Sequence, residues 1–150
     1  IDRALRDTDH DFIHVHTKAP DEAAHTSDSE HKRAVISRLD QGLKELVCAM
    51  EARDDVLVAI TADHATPSGS TLIHSGEPVP LTLVGPTVRR DDVTSFDEIS
   101  GAAGGLGHLR GEELMLMMLN YADRSALLGH RLGDVERPYV PASYPTFEMT

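Results

Sequence analysis

A single cysteine, Cys48, leaves no disulfide framework to draw, so packing must hold the fold and a reducing, cytoplasmic setting is expected. Cys48 falls on the apolar stripe of a predicted helix and reads as a small core filler. No run approaches the roughly 18 consecutive apolar residues of a membrane span. An opening with Asp2, Arg3, Arg6 and Asp7 has no signal-peptide character. Basic residues are scarce: 14 Lys and Arg stand against 25 Asp and Glu, and the formal charge of −11 disfavours a nucleic-acid groove, which needs clustered positive surface. Lys32-Arg33 and Arg89-Arg90, the only basic pairs, read as solvated surface. Missing too is a nucleophile in a recognisable setting.

With 150 residues and 40% apolar content, the chain is expected to form one domain over residues 1–136, followed by an extended, proline-rich tail over 137–150. Ile1 to Asp7 reads as the last turns of a helix already under way, which suggests a piece of something longer. Asp11 to Thr17 alternates and predicts a short strand, broken at Lys18-Ala19-Pro20. Ser27-Asp28-Ser29-Glu30 has capping-box form and predicts a helix start. Val35, Ile36, Leu39, Leu43, Leu46, Val47 and Met50 draw one stripe down a single long helix ending near Arg53. Val56 to Ile60 is a β-branched run typical of a strand covered on both faces, so strand, helix, strand predicts a βαβ unit with a parallel pair. Breakers from Ala65 to Pro78 predict a loop, Pro80 to Val84 a strand, and Glu112 to Leu128 a Met-rich core helix ended by Gly129.

Three motifs fall at the expected carboxyl edge of that sheet, where open parallel sheets place their ligand crevice: Asp21 with His25, Asp63 with His64, and His74. Imidazole and carboxylate together make a hard-to-borderline donor set suited to Mn, Zn or Fe rather than to a thiolate metal. Each pair alone is a common surface feature; their convergence is what points to a metal. A divalent pair at such a place suits phosphoryl chemistry. His14 and His16 share one strand face, where packed, hydrogen-bonded roles are expected, and His10, His31, His108 and His130 read as surface or capping residues.

Phe12 to His25, Thr61 to Pro67 and His74-Ser75-Gly76-Glu77-Pro78-Val79-Pro80 resemble the carboxyl-terminal half of cofactor-independent phosphoglycerate mutases, archaeal branch, within the alkaline phosphatase superfamily. The likeness continues through Gly104 to Gly107 and Gly111 to Met115. It implies an α/β, alkaline-phosphatase-like fold: a mostly parallel sheet flanked by helices, here lacking its amino-terminal strands. It implies two divalent ions, with Mn, Zn, Mg and Co as candidates. Asp21, His25 and His74 would hold one, Asp63 and His64 would contribute to the other, and Lys18 would contact the phosphate of a small substrate, phosphoglycerate. In that family the second ion is completed by an Asp after the first strand and by a transiently phosphorylated Ser. Neither has a counterpart here, so the isolated chain is expected to be inactive.

Two other readings stay open: another phosphomutase or phosphatase of the same superfamily, and a non-catalytic binding or assembly module that self-associates through an exposed, incomplete sheet.

Overall fold

The computed structural model describes residues 1–69 and 71–125. The proline-rich tail lies outside them; the helix expected to run on to Gly129 instead ends at Tyr121, where Ala122 caps it and Asp123 takes a left-handed conformation, φ 54°. Among the described residues, helices predominate around one short pair of strands. In chain order these are α1 (Asp2–Leu5), α2 (Ala19–His25), α3 (Ser29–Gly42), α4 (Lys44–Ala52), β1 (Val58–Ile60), β2 (Thr82–Val84), α5 (Glu98–Ala102) and α6 (Gly111–Tyr121).

The segment expected as the first strand, residues 11–17, forms no strand. A strand is defined by its ladder, and none of the described residues offers these backbone groups a partner. Phe12, Ile13 and Val15 are accordingly exposed, and so are His14 and His16, whose rings meet edge-on at 6.0 Å instead of packing in a core. The parallel pair is likewise not seen among the described residues. β1 pairs with β2 antiparallel, in the register Val58 to Val84 and Ile60 to Thr82. Nor is β1 covered on both faces, since all three of its residues are only half-buried.

The break expected at Lys18-Ala19-Pro20 is the start of α2, with Pro20 in its first turn. A proline is harmless in a first helical turn, where the N–H it lacks would have no intrahelical partner. Ala23 and Ala24, each 2% exposed, present a smooth face that lets α2 pack closely on α3. Thr26 closes α2 by donating its hydroxyl to the Ala23 carbonyl at 2.7 Å. Ser27 then takes a left-handed conformation, φ 58°, which turns the chain sharply. This displaces the cap of the next helix by one residue from the expected Ser27: Asp28 Oδ1 accepts from the Glu30 and His31 amides, each at 3.0 Å.

The long helix predicted to Arg53 is divided at Leu43, which serves both as the C-cap of α3 and the N-cap of α4, directly after Gly42. Its apolar stripe is only partly covered. Ile36 and Val47 are exposed, and so is Cys48, which is therefore not the core filler expected. α6 begins as its acids suggest, the Glu113 carboxylate accepting from the Arg110 amide at 2.8 Å, while its Met-rich face is half-buried or exposed. Among the described residues the buried apolar side chains are Ala23, Ala24 and Leu83. No helix among them is long and apolar enough to cross a membrane.

Candidate metal centre

Asp21 and His25 lie one turn apart on α2, so both side chains leave the same helix face. Sequence reasoning put them in a loop; the helix fixes their spacing more firmly than a loop would. His25 Nε2 stands 3.2 Å from Asp21 Oδ1.

The other residues arrive from the loop after β1. Asp63 and His64 leave the carboxyl end of β1, and Thr61 donates its hydroxyl to the Pro80 carbonyl at 3.0 Å, tying the start of this loop to the approach of β2. An isolated antiparallel bridge between Ala65 and Ser75, with the Ser75 amide donating to the Ala65 carbonyl at 3.0 Å, folds the intervening segment back on itself. That bridge places His74 beside His64, with ring centroids 4.1 Å apart, and beside His25 at 5.5 Å. His74 Nε2 then lies 3.4 Å from the same Asp21 oxygen that His25 approaches.

Asp21, His64 and His74 each offer one ligand atom, and these lie within 4.8 Å of one another, a grouping that could hold a metal ion. His25 adjoins it through Asp21. Asp63 is more exposed, with Oδ2 3.5 Å from His64 Nε2. Lys18 is the exposed N-cap residue of α2, and its backbone carbonyl accepts from the Glu22 amide. The structure thus gathers Asp21, His25, His64 and His74 around one carboxylate, sets Asp63 at the margin, and leaves the Lys18 side chain in solvent.

Two residues that sequence reasoning passed over complete the arrangement. Thr66, 6% exposed, donates its hydroxyl to Asp21 Oδ1 at 2.8 Å and lies 3.1 Å from His64 Nδ1. Lys32, expected as part of a solvated basic pair, instead reaches from α3 to the Thr66 carbonyl at 2.6 Å. The only sequence signal for Thr66 was its place two residues after His64 in a run already singled out. For Lys32 there was none. The Thr66 hydrogen bond holds the Asp21 carboxyl below its ordinary value; burial opposes this, and the charges of His25, His64 and His74 reinforce it. An ionised carboxylate with imidazole nitrogens converging on one of its oxygens is chemically matched to a borderline divalent cation, so these residues fit a metal.

Comparison with known proteins gives the same chemistry a lineage. The chain is 50% identical over 137 residues to 2,3-bisphosphoglycerate-independent phosphoglycerate mutase 2 of Methanocaldococcus jannaschii, covering 91% of this chain and 31% of that protein. It is 41% identical over 121 residues to 2,3-bisphosphoglycerate-independent phosphoglycerate mutase 1 of Methanothermobacter thermautotrophicus, covering 81% and 28%. A solved protein structure from Pyrococcus horikoshii superposes with a TM-score of 0.67 at 35% identity, over 74% of this chain and 33% of that one. The chain therefore spans about a third of the length of the relatives it matches. It is homologous to part of the archaeal mutases, with an alkaline-phosphatase-like fold by that homology. The model of the Metalloenzyme superfamily matches residues 1–121, and to that superfamily this chain belongs.

Proposed function

We propose that the chain is the metal-binding portion of a phosphoglycerate mutase that interconverts 3- and 2-phosphoglycerate through a phosphoserine intermediate. One observation carries the reading: His25 and His74, from α2 and a distant loop, bring Nε2 to 3.2 and 3.4 Å from a single oxygen of Asp21, beside His64. Asp21, His25 and His74 would hold one divalent ion, Asp63 and His64 would contribute to a second, and Lys18 would contact substrate phosphate. Mn, Zn, Mg and Co are the candidate ions, and the imidazoles favour the borderline ones over Mg. An ion bound there supplies Lewis acidity, polarising a phosphoryl oxygen and neutralising the charge that develops on it. The chain's own residues bind and orient: α2 fixes Asp21 and His25, and the Ala65–Ser75 bridge presents His74. The proposed domain runs over 1–136 with a tail over 137–150, in a cytoplasmic setting.

No Ser of this chain sits in the context of the family's nucleophile, so the 150 residues alone should bind metal without turning over substrate. The test measures bound metal, then assays two proteins with 3-phosphoglycerate and with generic phosphate esters: this chain, and a polypeptide of the relatives' full length carrying it. Stoichiometric metal in both and mutase activity in the longer one are expected. A longer protein that hydrolyses generic esters but leaves 3-phosphoglycerate unchanged would transfer the site to another phosphatase or phosphomutase of the superfamily.

A second reading has its own observation. Phe12, Ile13 and Val15 are 55%, 40% and 59% exposed in one short segment, and Leu72 and Ile73 are exposed as well, which favours association with a second copy or another polypeptide. A metal-free oligomer that survives chelator would make the chain an assembly module instead.

A further inference from the structure

Thr66 is the buried polar residue among those described, and its hydroxyl and its carbonyl are both engaged with the candidate centre or its support. A threonine hydroxyl has one proton. Here it goes to Asp21 Oδ1 at 2.8 Å, an acceptor because the carboxylate is ionised. The hydroxyl oxygen can then only accept from His64 Nδ1, 3.1 Å away, so that nitrogen must carry the imidazole proton. In the neutral ring, the form that can ligate a metal, Nε2 is then the lone-pair nitrogen, on the side that faces Asp63. The Thr66 backbone is held as well, by the Lys32 ammonium on its carbonyl at 2.6 Å, a charge-assisted bond from α3. The hydroxyl is thereby set between α2 and the loop after β1.

We propose that Thr66 is a positioning residue of the centre: its hydroxyl, anchored through Lys32, locks His64 in the Nδ1–H tautomer with Nε2 turned to the metal and fixes the Asp21 carboxylate against the imidazoles. The proposal rests on the metal reading above and adds to it a residue that touches no ion. Outer hydrogen bonds of this kind set the tautomer and aim of ligands, and their loss typically weakens metal binding by about 10–100-fold.

The test uses the 150-residue chain with Thr66→Val, which keeps shape and removes the hydroxyl, and Thr66→Ser, which keeps the hydroxyl. Long-range proton–nitrogen NMR of the metal-free chain reads the His64 tautomer, and cobalt(II) titration reads affinity and the visible spectrum. Wild type and Thr66→Ser should show the Nδ1–H tautomer and cobalt affinities within about threefold of each other. Thr66→Val should shift the tautomer toward Nε2–H, weaken cobalt about 10–100-fold and alter the spectrum. An unchanged tautomer with an unchanged affinity in Thr66→Val overturns the proposal, since a threonine that merely fills space would leave both untouched. Thr66→Ala carries the same comparison if the valine variant does not fold. Wild-type chain that takes up no cobalt overturns the metal reading instead, and the metal-free tautomer comparison then decides the role of Thr66 by itself.

Discussion

Adding a divalent ion should raise the stability of this chain by an amount that can be worked out. The candidate ligands come from α2 and from the loop after β1, so the site exists only when those parts are folded together. An ion that binds the folded and not the unfolded chain stabilises it by RT ln(1 + [L]/Kd), about 2.7 kcal/mol at 100 times Kd. For a chain of this size each kcal/mol moves the melting midpoint by about 2–4 °C, so zinc or manganese at that concentration should raise it by about 5–11 °C. The gain should vanish at defined positions. His74→Ala and Asp21→Asn each remove a group from the 4.8 Å cluster. If either weakens binding about 100-fold, the same metal concentration leaves RT ln 2, about 0.4 kcal/mol and a rise of 1–2 °C. His108→Ala, at an exposed position before α6, should keep the full rise. Thermal melts followed by circular dichroism, with metal and with chelator, provide the assay. An equal rise in all three variants would place the ion elsewhere and refute the reasoning.

Other consequences are local. Asp28→Ala removes the acceptor of the Glu30 and His31 amides at the start of α3 and should cost about 1 kcal/mol in denaturant unfolding, with Asp28→Ser restoring most of it. A Cβ at Gly85 would stand 3.0 Å from Leu57 Cδ1 and 3.2 Å from the Val56 carbonyl oxygen, so Gly85→Ala should destabilise by about 1–3 kcal/mol on the same assay, whereas Gly69→Ala, which meets nothing, should not. The Asp97 carboxyl is held below its ordinary 3.8 by the Ser100 amide and hydroxyl, and Asp91 by the Gly105 and Val93 amides. A lowered folded value means stability fully present above about 3.8 and lost as pH falls through the depressed values. Helical signal should hold from neutral pH to about 4 and decline below, less steeply in Asp97→Asn.

What the sequence revealed and what it hid divide along a physical line. Local rules found the helices from Ser29 to Ala52 and from Gly111, the strand at Val58–Ile60, and the turn-rich loop carrying His74, because periodicity and breakers act over a few residues. The donors Asp21, His25, Asp63, His64 and His74 stood out by residue type and spacing. Nonlocal pairing was not legible. Alternation in residues 11–17 predicts a strand only if a neighbour supplies a ladder, and β1 found its partner in β2 rather than upstream. The cap moved from Ser27 to Asp28 because Thr26 and Ser27 are used to end α2, a helix whose opening proline had been read as a breaker. Lys32 and Thr66 were hidden for the same reason: their bonds span 34 and 45 positions, and a lysine beside an arginine gives no sign that its ammonium will meet a distant carbonyl.

Those long spans also bear on how the centre is held. Buried apolar side chains among the described residues are few, so packing alone leaves α2 and the loop after β1 weakly coupled. The Thr66 to Asp21 hydrogen bond ties them, the Lys32 to Thr66 bond ties α3 to the same loop, and the Ala65–Ser75 bridge closes the far side of the loop. An ion would add bonds along the same seam, and metal binding should therefore order both sides of it at once. Hydrogen exchange tests this. On metal addition the Ser75 amide, bonded to the Ala65 carbonyl, and the α2 amides around Ala23 to His25 should slow together, by a factor set by the metal concentration over its Kd. Amides of α5, far along the chain and outside the seam, should keep their rates until global unfolding governs exchange. Slowing at Ser75 without slowing in α2 would mean that the ion is held by the loop alone, and that the approach of Asp21 and His25 plays no part in binding it.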